Sequence, residues 1–243
     1  MDLYIVTGAS RGLGLAMASQ LGAQSATRVL AISRAGQPPS ETPWRDLRAD
    51  LATDRGQLDA TQAIASALAS TQWDRAVLIN NAATLEPIGV MGDVDAQKVQ
   101  RAIALNLTAA IVLMNAFLVH SMDVPRRSVV NISSGSGRRP IAGSGAYCAS
   151  KAGMDMISRV AAVEAEAAGA RVTITSLAPG IIDTDMQVEA RSASEDRFPV
   201  VAQFRAFKSE NLLKSADEVG GRIIALERAG KLPSGIADLR ELS

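Results

Sequence analysis

With a single cysteine, Cys148, the chain can form no internal disulfide. With no disulfide framework to explain, a reducing compartment, the cytoplasm, is the expected location. Histidine is equally scarce. His120 is the only one, and no group of His, Cys and acidic residues has metal-ligand spacing, so no metal site is expected. An excess of charge of one sign is missing too. Lysine plus arginine and aspartate plus glutamate both number 25, which argues against a basic surface for nucleic acid or an anionic membrane. No segment is expected to serve as a membrane span of ~18 uncharged apolar residues. In place of a basic and then apolar leader, the chain begins a strand at Leu3-Tyr4-Ile5-Val6. Repeats, low-complexity tracts and clear linkers are absent, so residues 1–243 read as one domain. Aromatics make up only 3%, yet Phe198, Phe204 and Phe207, three of the four phenylalanines, gather within residues 187–213.

What is present alternates. Short β-rich runs (Leu3 to Val6, Arg28 to Ser33, Leu47 to Leu51, Asp74 to Asn80, Val129 to Ile132, Arg171 to Leu177, Ile236 to Leu239) are separated by helical patterns. The latter cover Arg11 to Leu21, Asp54 to Ser70, Asp95 to Met122, Ala146 to Ala168 and Ala216 to Ala229. The prolines from Gly36 to Pro43 mark an exposed loop. Strands separated by helices of this length must pair in parallel, because a parallel connection needs a long crossover. The expected fold is α/β: one doubly wound (Rossmann) domain, about seven parallel strands with helices on both faces.

Gly8, Ala9, Ser10, Arg11, Gly12, Leu13 and Gly14 join the first strand to the first helix. Glycines in such a turn permit positive φ and close approach of a pyrophosphate to the positive end of the helix. The second strand ends at Ser33-Arg34. An acid there would hold a ribose 2′-hydroxyl. None is present, and Arg34 and Arg11 could instead grip a 2′-phosphate, which favours NADP(H). Asp50, followed by Leu51, closes the third strand, where it could accept a bond from an adenine amino group.

Tyr147 and Lys151 lie four apart at the start of a helix and so share a face. Ser134 ends the preceding strand, and Asn106 lies in the long helix before it. Reducing a carbonyl requires a proton on oxygen as well as a hydride on carbon. A lysine ammonium is expected to lower the phenol pKa of Tyr147, while a serine hydroxyl holds the oxygen and an asparagine holds water on a proton path.

In these motifs the chain resembles the short-chain dehydrogenase/reductase family. Besides the glycine loop they are Asn80-Asn81-Ala82, Asn106, Ser134, Tyr147 to Lys151, and Pro179-Gly180 followed by Thr184. The resemblance implies a catalytic tetrad of Asn106, Ser134, Tyr147 and Lys151. It also implies cofactor contacts from Asn81, Ala82, Tyr147, Lys151, Pro179, Gly180, Ile182, Thr184, Asp185 and Met186. Arg11 after Ser10 is a mark of NADP(H)-preferring members. Ala83 departs from the pattern, standing where the family usually has glycine.

A narrower resemblance is to the sepiapterin reductase-like subgroup, which includes diketone (benzil) reductases. It rests on Ala104 to Thr108, Val130 to Ser134, Tyr147-Cys148-Ala149, Asp183 to Gln187 and the tail from Leu232 to Asp238. It implies an NADPH-dependent reductase of a ketone or vicinal dicarbonyl, with substrate contacts from Ser134, Tyr147, Gly180 and Asp238. Residues 187–213 would form a substrate lid, its phenylalanines either touching substrate or packing the lid down. Helices 95–122 and 146–168 would form a homodimer or homotetramer interface. Two alternatives stay open: an NAD-dependent alcohol dehydrogenase, and a catalytically silent NADP(H)-sensing protein.

Overall fold

The computed structural model describes residues 1–35 and 45–243; the loop expected from Gly36 to Pro43 lies outside the described residues. The strands are β1 (Asp2–Thr7), β2 (Thr27–Ser33), β3 (Arg45–Arg48), β4 (Arg75–Asn80), β5 (Arg126–Ile132), β6 (Val172–Ala178) and β7 (Gly235–Asp238). They form one parallel sheet in the order β3-β2-β1-β4-β5-β6-β7. The described helices are α1 (Gly12–Gly22), α2 (Asp54–Ala69), α3 (Ala96–Ile103), α4 (Ala109–His120), α5 (Gly145–Ala167), α6 (Asp185–Ser192), α7 (Val201–Ser209) and α8 (Ala216–Arg228).

Alternation along each strand sorts the core into two layers. Tyr4, Val6, Val77, Ile79 and Val130 pack with Met17 and Leu21 of α1 and Ile223 of α8. Leu3, Ile5, Leu78 and Val129 pack with Ile64 of α2 and Leu113 and Phe117 of α4. Because both faces are covered, β1 and β4 are apolar runs rather than half-polar strands. Strand order reverses at the β1–β4 boundary, and the carboxyl ends there open into the crevice that such sheets use for ligands.

Two elements differ from expectation. The third strand ends at Arg48, not Leu51, because its partner β2 ends at Ser33. Beyond it the chain turns, with the Asp50 carboxylate accepting the Ala52 N–H (3.1 Å). Leu47, Ala49 and Leu51 alternate as a strand would, but Ala49 and Leu51 are buried in the turn. The long helix runs from Ala96 to His120, with a π-turn at Ala104–Thr108 joining α3 to α4. By length and composition this helix is apolar enough to cross a membrane, against the expectation that no segment would qualify. Its Leu113, Met114 and Phe117 are buried against the sheet and α2.

Candidate active site

A cleft of about 1040 Å³ runs along the carboxyl edge of the sheet, lined by residues from Gly8 to Arg240. Its floor is the turn from β1 to α1. Gly8 and Gly12 have φ of +69° and +53°. A Cβ on Gly8 would lie 2.9 Å from Ala82 Cα, and one on Gly14 only 2.3 Å from the Gly8 carbonyl oxygen. Side chains here would break the packing of the turn on the Asn81-Ala82 segment. That segment is strapped down by Thr7, whose Oγ1 accepts the N–H groups of Asn81 (2.9 Å) and Ala82 (3.0 Å). Thr53, Asp95 and Ser215 cap α2, α3 and α8 with their side chains, whereas α1 has no side-chain cap. Gly12 and Leu13 of its first turn line the cleft, and helix geometry leaves their N–H groups without intrahelical partners, a backbone cradle that fits a dinucleotide pyrophosphate. Ala9 and Gly14 do not line the cleft; Ala9 is core and Gly14 lets α1 approach the turn.

At the end formed by β2, Ser33 and Arg34 line the cleft, with Asp50 and Leu51 opposite. Asp50 is committed within the protein: Oδ1 accepts Ala52 N–H and Oδ2 accepts Arg101 Nη2 at 2.5 Å. Partial burial opposes its charge, but these two donors prevail and hold the carboxyl below the usual range. Arg11 pairs with Asp185 at 3.0 Å, across the cleft mouth. So of the two arginines expected at a 2′-phosphate, Arg11 already has a carboxylate. Pro179, Gly180, Ile182, Thr184, Asp185 and Met186 form the facing wall.

At the centre lie Ser134, Tyr147 and Lys151. Ser134 leaves β5 and caps a short 3-10 turn, Gly135–Gly137, accepting Ser136 N–H at 3.2 Å. Its hydroxyl lies close enough to the Tyr147 phenol to favour the ionised form of that phenol. Both Tyr147 and Lys151 are buried on α5. Lys151 Nζ donates to the Ile132 carbonyl at 2.7 Å and lies 5.5 Å from the Tyr147 ring centroid.

The expected lowering of the phenol pKa is not found. Burial pushes Tyr147 up to about 12, with the Ser134 hydroxyl opposing. Burial likewise lowers Lys151 to about 8, with Asp155 opposing. Burial is the largest influence on each, and it disfavours the charged form of both groups. Asn106 is held firmly within the fold. Fully buried at the π-turn, its amide accepts Thr84 N–H (2.8 Å) and donates to the Thr84 carbonyl (2.8 Å) and Ser150 Oγ (3.3 Å). Those contacts strap the loop after β4 to the long helix and to α5.

Asp155 was not among the expected site residues. Its carboxylate accepts Ser133 Oγ and Ser176 Oγ at 2.6 Å each and Arg138 Nε at 3.1 Å. It thus ties the ends of β5 and β6 to α5, directly behind Ser134 and Lys151. A sequence signal existed: Tyr147, Lys151 and Asp155 recur every four residues on one helical face.

The remaining end of the cleft is walled by aromatics. Phe204 stacks obliquely on Phe198 (centroids 5.0 Å) and meets Phe207 edge-on (5.6 Å). Phe198 is fully buried and anchors the segment, packing with Leu85, Ile88 and Tyr147. Phe204 and Phe207 line the cleft above it. Asp238 lines the cleft but is not free: Oδ1 accepts Arg240 N–H and Nε (3.0 and 2.9 Å) and Oδ2 accepts Nη2 (2.6 Å). The carboxylate expected to contact substrate is already engaged by the protein's own guanidinium.

A family model described as short chain dehydrogenase matches residues 3–195. The chain belongs to the short-chain dehydrogenase family. It is therefore an oxidoreductase of a family that works with nicotinamide cofactors. Among similar proteins, the benzil reductase ((S)-benzoin forming) of Bacillus subtilis (strain 168) is 34% identical over 242 residues, 99% of each chain. The sepiapterin reductase of Mus musculus is 33% identical over 254 residues, covering 95% of this chain and 93% of that one. Among solved structures, the KRED1-Pglu enzyme superposes with a TM-score of 0.82 at 25% identity, over 98% of this chain and 100% of that one. The subgroup resemblance read from the motifs is thus matched along nearly the whole chain.

Proposed function

We propose that this short-chain dehydrogenase is an NADPH-dependent carbonyl reductase acting on an aromatic ketone or vicinal dicarbonyl of the benzil or sepiapterin kind. One observation carries the reading. A buried phenol, with the Ser134 hydroxyl and Lys151 beside it, lines one cleft together with the glycine turn and the aromatic residues Phe204 and Phe207. When bound, NADPH supplies the hydride that reduces the carbonyl carbon. Ser134 holds the carbonyl oxygen and stabilises charge developing there. Tyr147, whose pKa of about 12 keeps it protonated at neutral pH, donates the proton to that oxygen. A neutral resting phenol suits reduction, since alcohol oxidation would need the tyrosinate. Lys151 keeps its positive charge below about pH 8 and offsets the charge left on the tyrosine. The relatives named for benzil and sepiapterin reduction support the substrate class.

The phosphate-bearing cofactor is favoured by Ser33-Arg34 at the end of β2, where no acid stands. A homodimer through α4 and α5 is favoured by the exposed stripe of Met156, Val160 and Val163 on α5 and by the exposed Val119 on α4. Cofactor oxidation followed by absorbance across benzil, sepiapterin, isatin and simple ketones tests the activity. Turnover of the diketones with NADPH at least about tenfold more efficient than with NADH is expected. Arg34→Ser should erase most of that preference. Absence of turnover across the panel, or a preference for NADH, would overturn the reading.

A further inference from the structure

The charges in the cleft nearly cancel in pairs. Each carboxylate lining it has a cation at ion-pair distance: Asp50 with Arg101 (2.5 Å), Asp185 with Arg11 (3.0 Å), Asp238 with Arg240 (2.6 Å) and Glu86 with Lys98 (4.0 Å). Among the described residues, three lining cations have no carboxylate at that distance: Lys151, Arg34 and Arg139. Lys151 belongs to the catalytic centre. Arg34 lies where a 2′-phosphate is read. Arg139 has no such assignment.

Its position is informative. A methyl group built on Gly135 would lie 3.6 Å from Arg139 Nη2 and 3.7 Å from Nε, so the guanidinium folds back over the residue next to Ser134. The neighbouring Arg138 points the other way, into Asp155 and the Ala237 carbonyl. Tyr147, Phe204 and Phe207 line the same cleft. An unpaired, planar, permanently charged donor beside a carbonyl-binding serine and aromatic walls suits a carboxylate.

We propose that Arg139 is an anion-recognising residue of the substrate end, and that the preferred substrates are aromatic keto acids. The carbonyl sits at Ser134 and Tyr147, and a carboxylate on the same molecule sits at Arg139. This rests on the carbonyl-reductase reading above and adds the charge of the substrate to it.

Matched acid and ester probes test it with the full chain and NADPH. One pair is benzoylformate and its methyl ester; the other is 4-carboxybenzil and its methyl ester. The measured quantity is the acid-to-ester ratio of kcat/KM within each pair, which removes general effects on turnover. Arg139→Gln should lower that ratio about fivefold or more in at least one pair, with Arg139→Lys retaining part of it. Raised salt should lower the wild-type ratio in the same pair, because an exposed cation is screened. A ratio unchanged by Arg139→Gln in both pairs, or esters reduced while both acids are refused, overturns the proposal and leaves the reductase reading standing. Failure of every probe, esters and benzil included, strikes that reading instead.

Discussion

The protein has two tyrosines, and they stand at opposite ends of the sheet. Tyr4 lies near the amino ends of the strands and Tyr147 at the carboxyl edge. Both are buried, and burial pushes both up to about 12. Their surroundings differ. The Tyr4 hydroxyl donates to Glu227 at 2.7 Å, and the hydroxyl in turn accepts from Arg228 (3.3 Å) and Arg75 (3.4 Å). Arg75 also pairs with Glu227 at 3.2 Å, and Ser128 donates to the other carboxylate oxygen at 3.0 Å. Every lone pair and proton is committed to the fold. Tyr147 has Ser134 and a lysine at its ring, and borders an open cleft. A buried phenol with a high pKa is thus not a mark of catalysis. The distinction lies in whether its oxygen faces room for another molecule.

Four substitutions or titrations break or sharpen that contrast. Tyr147→Phe should lower kcat about 10³-fold or more, with NADPH binding, followed by fluorescence, largely kept. Residual turnover near the wild-type rate would place the proton donor elsewhere. At the other end, Glu227→Ala leaves Arg75 buried without its partner. It should cost about 3–5 kcal/mol in urea unfolding, while the folded enzyme keeps kcat within about twofold. Comparable loss of kcat would mean the two ends are coupled.

The third effect is a pH shift. Lys151 must carry its proton, so reductive kcat should fall as pH rises through about 8. The carboxylate of Asp155 favours the ammonium. Asp155→Asn removes that charge and retains a side chain of similar shape, so the alkaline limb should move to lower pH, by roughly half a unit or more. A purely structural role for Asp155 would reduce stability and leave the limb in place. The smallest effect belongs to Tyr4→Phe, which removes one hydroxyl from the network. About 1 kcal/mol of stability should be lost, read from the urea midpoint, with no change in the pH profile.

The parts of the site that were legible beforehand are local in the chain. The glycine turn is one segment between a strand and a helix, and Tyr147 and Lys151 are one turn apart on α5. Periodicity and backbone sterics act over a few residues, so sequence alone conveys them. The topology was legible for the same reason, since parallel pairing follows from strand and helix alternation. Where partners come from distant segments, expectation failed. The pairing of the Asn106 amide with Thr84, 22 residues away, was not foreseen. Asp155 gathers Ser133, Ser176 and Arg138 from three places.

By itself, then, the sequence determined the fold class, the family and the placing of Tyr147 and Lys151 on one helical face, because each depends on spacing along one stretch of chain. Only the tertiary structure decided which charged groups remain available. Arg240 fills Asp238, Arg101 fills Asp50 and Asp185 takes Arg11, while Arg34 and Arg139 are left without a carboxylate in ion-pair range among the described residues. The reason is physical: a charge is neutralised by whichever opposite charge the fold brings within a few ångströms.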